Sequence, residues 1–152
     1  MTTNLMAVGD VLPTLDLTLP DGTLMTRNGT AGARATLVYF MRTSSCPVCH
    51  GHLRSIERTS VAGAPLSDRV LIVVPGTAKE ATAVASRHPQ LAGRVVASTT
   101  AHARVGLFSS AGIQRSGALV VDADNRVAQA HFGILPTSSF DLKAATTALA
   151  SA

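Results

Sequence analysis

Arg42-Thr43-Ser44-Ser45-Cys46-Pro47-Val48-Cys49 decides how the chain is read. The apolar run before it, Ala35-Thr36-Leu37-Val38-Tyr39-Phe40-Met41, has the length and the β-branched and aromatic content of a buried strand. The stretch behind it, His50 to Glu57, reads as a helix. A strand therefore passes through a short polar turn into a helix opened by a Cys-x-x-Cys pair. Both cysteines of the chain lie here. A sulfur at a helix N-terminus faces unpaired N–H groups and the positive end of the macrodipole, which favours thiolate over thiol. Cys49, Leu53 and Ile56 recur at helical spacing and share one face. If that face is the core, Cys49 is recessed, and Cys46, one turn earlier, lies at the exposed end. Pro47 suits the first helical position, where its missing N–H costs little. The pattern reads as a redox site with the rest of the chain as its scaffold.

The chain has 152 residues, enough for one domain, spanning 1–152, with a sizeable core. Charged residues make up 14% and the mean hydropathy is +0.29, which argues against disorder. Aromatic residues make up only 3%, so the core must be built from Val, Leu, Ile and Ala. The formal charge is +4, but the 13 basic residues are scattered and no aromatics interleave with them. That gives a nucleic-acid groove little support. The first residues lack a basic segment followed by an apolar one, so no secretory signal is visible. No apolar run approaches the roughly 20 residues of a membrane span. The expectation is a cytoplasmic protein without membrane or nucleic-acid partners. In that compartment a Cys-x-x-Cys is catalytic or metal-binding more often than a structural staple.

Working outward, Leu15, Leu17 and Leu19 alternate with polar residues as in a half-buried strand. Pro20-Asp21-Gly22 is a turn, and Thr23 to Thr26 returns as the second strand of an N-terminal hairpin. Asn28-Gly29-Thr30-Ala31-Gly32 is a loop. Gly63-Ala64-Pro65 breaks the cysteine helix. Arg69 to Val74 is an apolar strand, and Thr77 with Glu80 forms a capping box for a helix to about His88. Arg94 to Ser98 is a short strand and Thr100 to Phe108 a short helix. Gly117 to Val121 and Arg126 to Phe132 flank an Asp122-Asn125 turn. Pro136 to Ser139 opens a last helix to Leu149, with Phe140, Ala144 and Ala148 on one face. Repeated βα units imply a parallel core, and the late hairpin an antiparallel edge. The expected fold is α/β, with a mixed central sheet flanked by helices.

The order of elements resembles the thioredoxin fold, and finer features resemble peroxiredoxins of the AhpC/TSA (redoxin) type. Gly9-Asp10-Val11-Leu12-Pro13-Thr14-Leu15 is similar to the opening "vGd-x-aPdf" of that family. Tyr39 to Cys49 resembles the "FYRGxWCPxC" segment of peroxiredoxin-like proteins, and Thr43 matches the Thr three residues before the peroxidatic Cys. Arg115-Ser116-Gly117-Ala118-Leu119-Val120-Val121-Asp122 looks like the "R-x-T-F-V-I-D" strand. The likeness runs over most of residues 8–133. Two positions depart from it. Tyr39 stands where typical peroxiredoxins place a Pro, and Ser116-Gly117 replaces the Thr after the Arg. Gln114-Arg115-Ser116 lacks the Pro that a thioredoxin carries there.

The resemblance implies a thiol-dependent peroxidase without a cofactor. Cys46 would attack hydrogen peroxide or an organic hydroperoxide and become a sulfenic acid. Thr43 would orient the peroxide, Arg115 would sit beside the sulfur, and Arg42 would add positive potential. Cys49 would resolve the sulfenic acid to a Cys46–Cys49 disulfide, reduced by a thioredoxin-like or low-molecular-weight thiol partner. A homodimer is compatible with the resemblance. Other readings use the same residues. Thiol–disulfide exchange on protein or small disulfides needs the cysteine pair alone, and a redox-sensing module needs only its disulfide state. Cys46-x-x-Cys49-His50 also spells a c-type haem attachment site, but haem attachment requires export and an axial ligand. Zinc on Cys46, Cys49 and His50 or His52 lacks a second knuckle. Asp122 and Asp124 mimic the start of a calcium loop, but Gly133 stands where its bidentate Glu belongs. His88, His102 and His131 read as isolated structural or solvated residues.

Overall fold

The computed structural model describes residues 5–27, 35–110, 113–133 and 140–152. The chain opens with a hairpin of β1 (Leu15–Thr18) and β2 (Leu24–Arg27). Gly22 turns it at φ +90° and the Asp21 carboxylate accepts the Thr23 N–H, as the Pro-Asp-Gly motif predicts. β3 (Thr36–Phe40) leads into α1 (Pro47–Glu57). A two-residue hairpin of β4 (Ser60–Val61) and β5 (Ala64–Pro65) follows. Its turn residues Ala62 and Gly63 both take positive φ, the geometry a tight hairpin requires. Sequence alone shows only a helix break here, because Ala62 gives no signal of a left-handed conformation.

β6 (Val70–Pro75), α2 (Ala78–Arg87) and β7 (Val95–Ser98) complete two βα units. The capping box is present: the Glu80 carboxylate accepts the Thr77 N–H at 2.8 Å. α3 (Ala101–Arg104) is shorter than expected and ends as the chain turns at Gly106 with φ +89°. A small ladder of β8 (Ser109–Ser110) and β9 (Ile113–Gln114) precedes the hairpin of β10 (Ser116–Val121) and β11 (Val127–Gly133). α4 (Leu142–Ser151) starts at an Asp141 cap, whose side chain accepts the Ala144 N–H at 3.0 Å. The sequence places the opening of this helix at Pro136 to Ser139. Residues 136–139 and the loop at 28–32 lie outside the described residues. The buried face of α4 is Ala145 and Leu149, one position on from the expected stripe.

Among the described residues the main sheet has seven strands in the order β11-β10-β3-β6-β7-β1-β2. β3, β6 and β7 are parallel, and the strands outside them pair antiparallel. Side chains alternate between two cores. Leu37, Tyr39, Ile72, Val74, Ala118 and Val120 face α1, α2 and α4. Val38, Phe40, Val73, Val96, Leu119 and Val121 face α3 and the N-terminal segment. Burial on both faces explains why β3 and β6 read as unbroken apolar runs. Arg69 is buried behind the first layer, donating from Nε to the Ala35 carbonyl at 3.2 Å and from Nη2 to the Leu149 carbonyl at 3.1 Å. It ties the last turn of α4, where the helix dipole favours a cation, to the start of β3. No described helix is long and apolar enough to cross a membrane.

Candidate active site

The site lies where β3 ends and α1 begins, at the carboxyl edge of the parallel strands. Cys46 is the N-cap of α1: its backbone is extended at φ −62°, ψ 114°, and its Sγ accepts the Cys49 N–H at 3.3 Å. The Cys49 sulfur in turn accepts the Arg42 N–H at 3.5 Å. Thr43 contributes its carbonyl, which accepts the Cys46 N–H at 3.4 Å. Both cysteines are free thiols. Cys49 is wholly buried, as its helical face predicts. Cys46 is not the exposed sulfur that its position suggested, for it is only 2% exposed. The cap geometry explains this, because accepting the Cys49 N–H folds its sulfur over the first turn of α1 and into the core cluster.

The two thiols titrate in opposite directions. For Cys46, burial works most strongly against the thiolate. Hydrogen bonds from the Cys49 thiol and N–H, with the hydrogen bond and charge of Arg42, outweigh it and hold Cys46 below its ordinary range. Cys49 is pushed up to about 11, first by burial and then by the hydrogen bond and charge of Cys46; the Arg42 N–H and the Tyr39 hydroxyl oppose this only in part. One sulfur is thus prepared as a nucleophile and its neighbour is kept protonated beside it.

The structure brings Cys46, Cys49, Arg42 and Thr43 together. Arg115 is placed elsewhere: it lines a small cavity with Leu5, Leu107, Phe132 and Gly133. Leu107 and Phe132 belong to the core on the other side of the sheet. In β10 the even-numbered Ala118 and Val120 share the cysteine face, and a shift of one residue reverses a side chain's direction. Ser116, buried to 1%, continues that even-numbered series. The cation beside Cys46 is Arg42.

Sequence reasoning missed two polar chains around α1. His88, expected to be isolated, is joined to His50. His50 Nε2 donates to the Ser44 carbonyl at 2.7 Å, its Nδ1 meets His88 Nε2 at 2.7 Å, and His88 Nδ1 meets Glu57 Oε1 at 2.7 Å. The two ring planes are within 9° of each other with centroids 5.0 Å apart, the edge-to-edge arrangement that a hydrogen bond between ring nitrogens requires. Burial first, and then nearby Arg87, His88 and Arg54, lower the His50 pKa against the opposing Ser44 hydrogen bond. The second chain joins Tyr39 Oη to His52 Nδ1 at 2.6 Å. Helical spacing already put Cys49 one turn from His52, but no sequence signal put Tyr39 between them. His102, also buried, donates from Nε2 to the Met41 carbonyl at 2.7 Å. Both ring nitrogens of His50 are thereby engaged, and among the described residues no three His, Cys, Asp or Glu gather as metal ligands.

No known protein-family model matches the sequence, and no curated protein matches it. Solved structures do. A peroxiredoxin-like protein from Aquifex aeolicus superimposes with a TM-score of 0.75 at 14% identity, over 99% of this chain and 90% of that one. The fold is the thioredoxin-like fold of peroxiredoxins. A thiol peroxidase from Chromobacterium violaceum matches with a TM-score of 0.72 at 13% identity, over 99% and 89% of the two chains. Peroxidoxin BcpB from Mycobacterium tuberculosis matches with a TM-score of 0.72 at 15% identity, over 96% and 97%. In this fold the cysteine pair lies at the start of α1, just beyond the end of β3.

Proposed function

We propose that the chain is a thiol-dependent peroxidase. The Cys46 thiolate attacks the terminal oxygen of hydrogen peroxide or an organic hydroperoxide. The O–O bond breaks with its pair on the departing oxygen, which takes a proton from solvent and leaves as water or an alcohol, and Cys46 becomes a sulfenic acid. Arg42 steadies the thiolate and the negative charge that develops on the leaving oxygen, and the Thr43 hydroxyl orients the peroxide. Cys49 then displaces the sulfenic hydroxyl as water, and a thioredoxin-like or low-molecular-weight thiol reduces the resulting Cys46–Cys49 disulfide. One observation carries the reading: a low-pKa sulfur at a helix N-cap accepts the N–H of a second cysteine whose own thiol stays protonated. The test is peroxide consumption coupled to a thiol reductant, with trapping of the intermediate by a sulfenic-acid reagent. Labelled Cys46 in Cys49→Ser and no turnover in Cys46→Ser support it; absence of label on Cys46 after peroxide removes it.

A second reading is thiol–disulfide exchange on a protein or small-molecule disulfide. It is favoured by the cysteine spacing, since residues three apart at the start of one helix meet the geometry of a disulfide with little backbone movement. Reduction of a disulfide substrate by the dithiol form, without acceleration by peroxide, would select it.

A further inference from the structure

Cys49 has a difficulty that its neighbours answer. As the attacking thiol it must lose a proton, yet it is wholly buried and its pKa stands at about 11. At pH 7 that keeps the sulfur almost wholly as thiol. Oxidation of Cys46 removes the charge beside it, but burial, the larger cause, persists. The Tyr39 hydroxyl hydrogen-bonds the Cys49 side chain and meets His52 Nδ1 at 2.6 Å. Tyr39 is fully buried in β3, and its ring is packed edge-on against His52 and Phe140 with centroids 5.7 and 5.3 Å away. His52 is half-buried, so the chain runs from the buried sulfur toward the surface.

We propose that Tyr39 and His52 form a proton relay that takes the Cys49 proton as this sulfur attacks Cys46. The proposal rests on the reading of Cys49 as the resolving thiol. Once Cys46 is a sulfenic acid, its sulfur no longer draws the Cys49 proton as a thiolate does; the thiol then donates to Tyr39 Oη, and the tyrosine hydroxyl donates to the unprotonated Nδ1 of a neutral His52. On attack both hydrogen bonds reverse. The thiol proton moves to Tyr39 Oη, the hydroxyl proton moves to His52 Nδ1, and the sulfur is left as a thiolate that accepts from the tyrosine. Its electron pair forms the S–S bond to Cys46. The Cys46 S–O bond breaks with its pair on oxygen, and the hydroxide is neutralised by a solvent proton while His52 returns its own to solvent. Cys49 is oxidised, the Cys46 sulfenic sulfur is reduced, and one water is formed.

His52 suits the role of acceptor. It is met by Tyr39 from β3 and by Phe140 ahead of α4, and burial alone lowers its pKa, so it is neutral at pH 7. The titratable groups facing Cys49 are Cys46 and Tyr39, and the Arg42 backbone N–H donates to its sulfur. Tyr39 touches the reacting sulfur and is the catalytic group. His52 acts through it, as a positioning residue that fixes the direction of the tyrosine's proton.

The test needs no peroxide. Cys46 is converted to a mixed disulfide with thionitrobenzoate at about pH 4, where attack by Cys49 is slow, and then jumped to a series of pH values. Release of the coloured thiolate reports the Cys49 step as a first-order rate. Wild-type release rises with pH and levels off once His52 is neutral, below its ordinary range near 6.5. Tyr39→Phe and His52→Gln are slower by at least about tenfold near pH 7, and their rates keep climbing as the thiol itself ionises. A wild-type rate and profile in Tyr39→Phe overturns the relay. So does a loss in His52→Gln that is equal at every pH, which marks a structural effect. The two readings fail separately. If Cys46 is inert to peroxide while this exchange retains its profile, the peroxidase reading falls and the relay stands.

Discussion

The chain Ser44–His50–His88–Glu57 makes a prediction that rests on counting protons. Three contacts of 2.7 Å need one proton each. Two neutral imidazoles bring two, and the third comes with Glu57, either as the carboxylic proton or as a ring proton balanced by the carboxylate. Glu57→Gln therefore keeps every contact. The amide N–H donates to His88 Nδ1, His88 Nε2–H to His50 Nδ1, and His50 Nε2–H to the Ser44 carbonyl. Glu57→Leu has two protons for the same chain and strands His88 Nδ1 as an acceptor with no donor. His88 is only 1% exposed, so water does not replace the lost partner from that side. A lone buried acceptor costs about 1–3 kcal/mol. The carboxylate end is 14% exposed, which places the expected loss in the lower half, at about 1–2 kcal/mol. Glu57→Gln should stay within about 0.5 kcal/mol of wild type. Urea unfolding at pH 7, with equal m-values for the three proteins, reads the difference as a shift in midpoint. Equal losses in Gln and Leu would refute the counting, because they would mean that charge, not the third proton, holds the chain together.

Three further outcomes follow from the same structure. Alkylation of Cys46 should reach half its maximal rate at a pH below the ordinary thiol value of 9.0, and Arg42→Gln should move that midpoint upward, since the guanidinium lowers the pKa; an unmoved midpoint removes Arg42 from the site. His102, held at about pH 4 mainly by burial, binds its proton more weakly folded than unfolded. Its stabilising share is whole above 6.5 and is lost as pH falls toward 4, so wild type should lose about 3 kcal/mol more than His102→Gln across that window in pH-dependent unfolding. Gly117→Ala should destabilise by about 1–3 kcal/mol in the same unfolding assay, because a β-carbon there runs into the ring of Phe132 on β11 and lies 3.0 Å from the His131 carbonyl.

The sequence carried the architecture well, for reasons visible in single elements. Strands buried on both faces leave unbroken runs such as Leu71 to Val74, and the Thr77–Glu80 box and the Pro-Asp-Gly turn have local chemistry that tertiary context did not override. Helix starts are less legible: the described last helix is capped by the Asp141 carboxylate, which apolar periodicity alone does not single out. At the site, spacing along α1 was enough to recess Cys49. It was not enough to place Cys46, whose burial depends on how the cap folds back, nor Arg115, whose direction turns on the register of β10. Tyr39–His52 and His50–His88–Glu57 are contacts between elements distant in sequence, which periodicity along one element does not reveal.

The most direct measurement is the rate at which the reduced protein reacts with hydrogen peroxide, followed by stopped flow beside Cys46→Ser and Cys49→Ser. Oxidation many orders of magnitude faster than that of a free thiol, absent in Cys46→Ser and halted at the sulfenic acid in Cys49→Ser, is the expected result. Oxidation at the rate of an ordinary thiol would contradict the account and leave disulfide exchange as the chemistry of the pair.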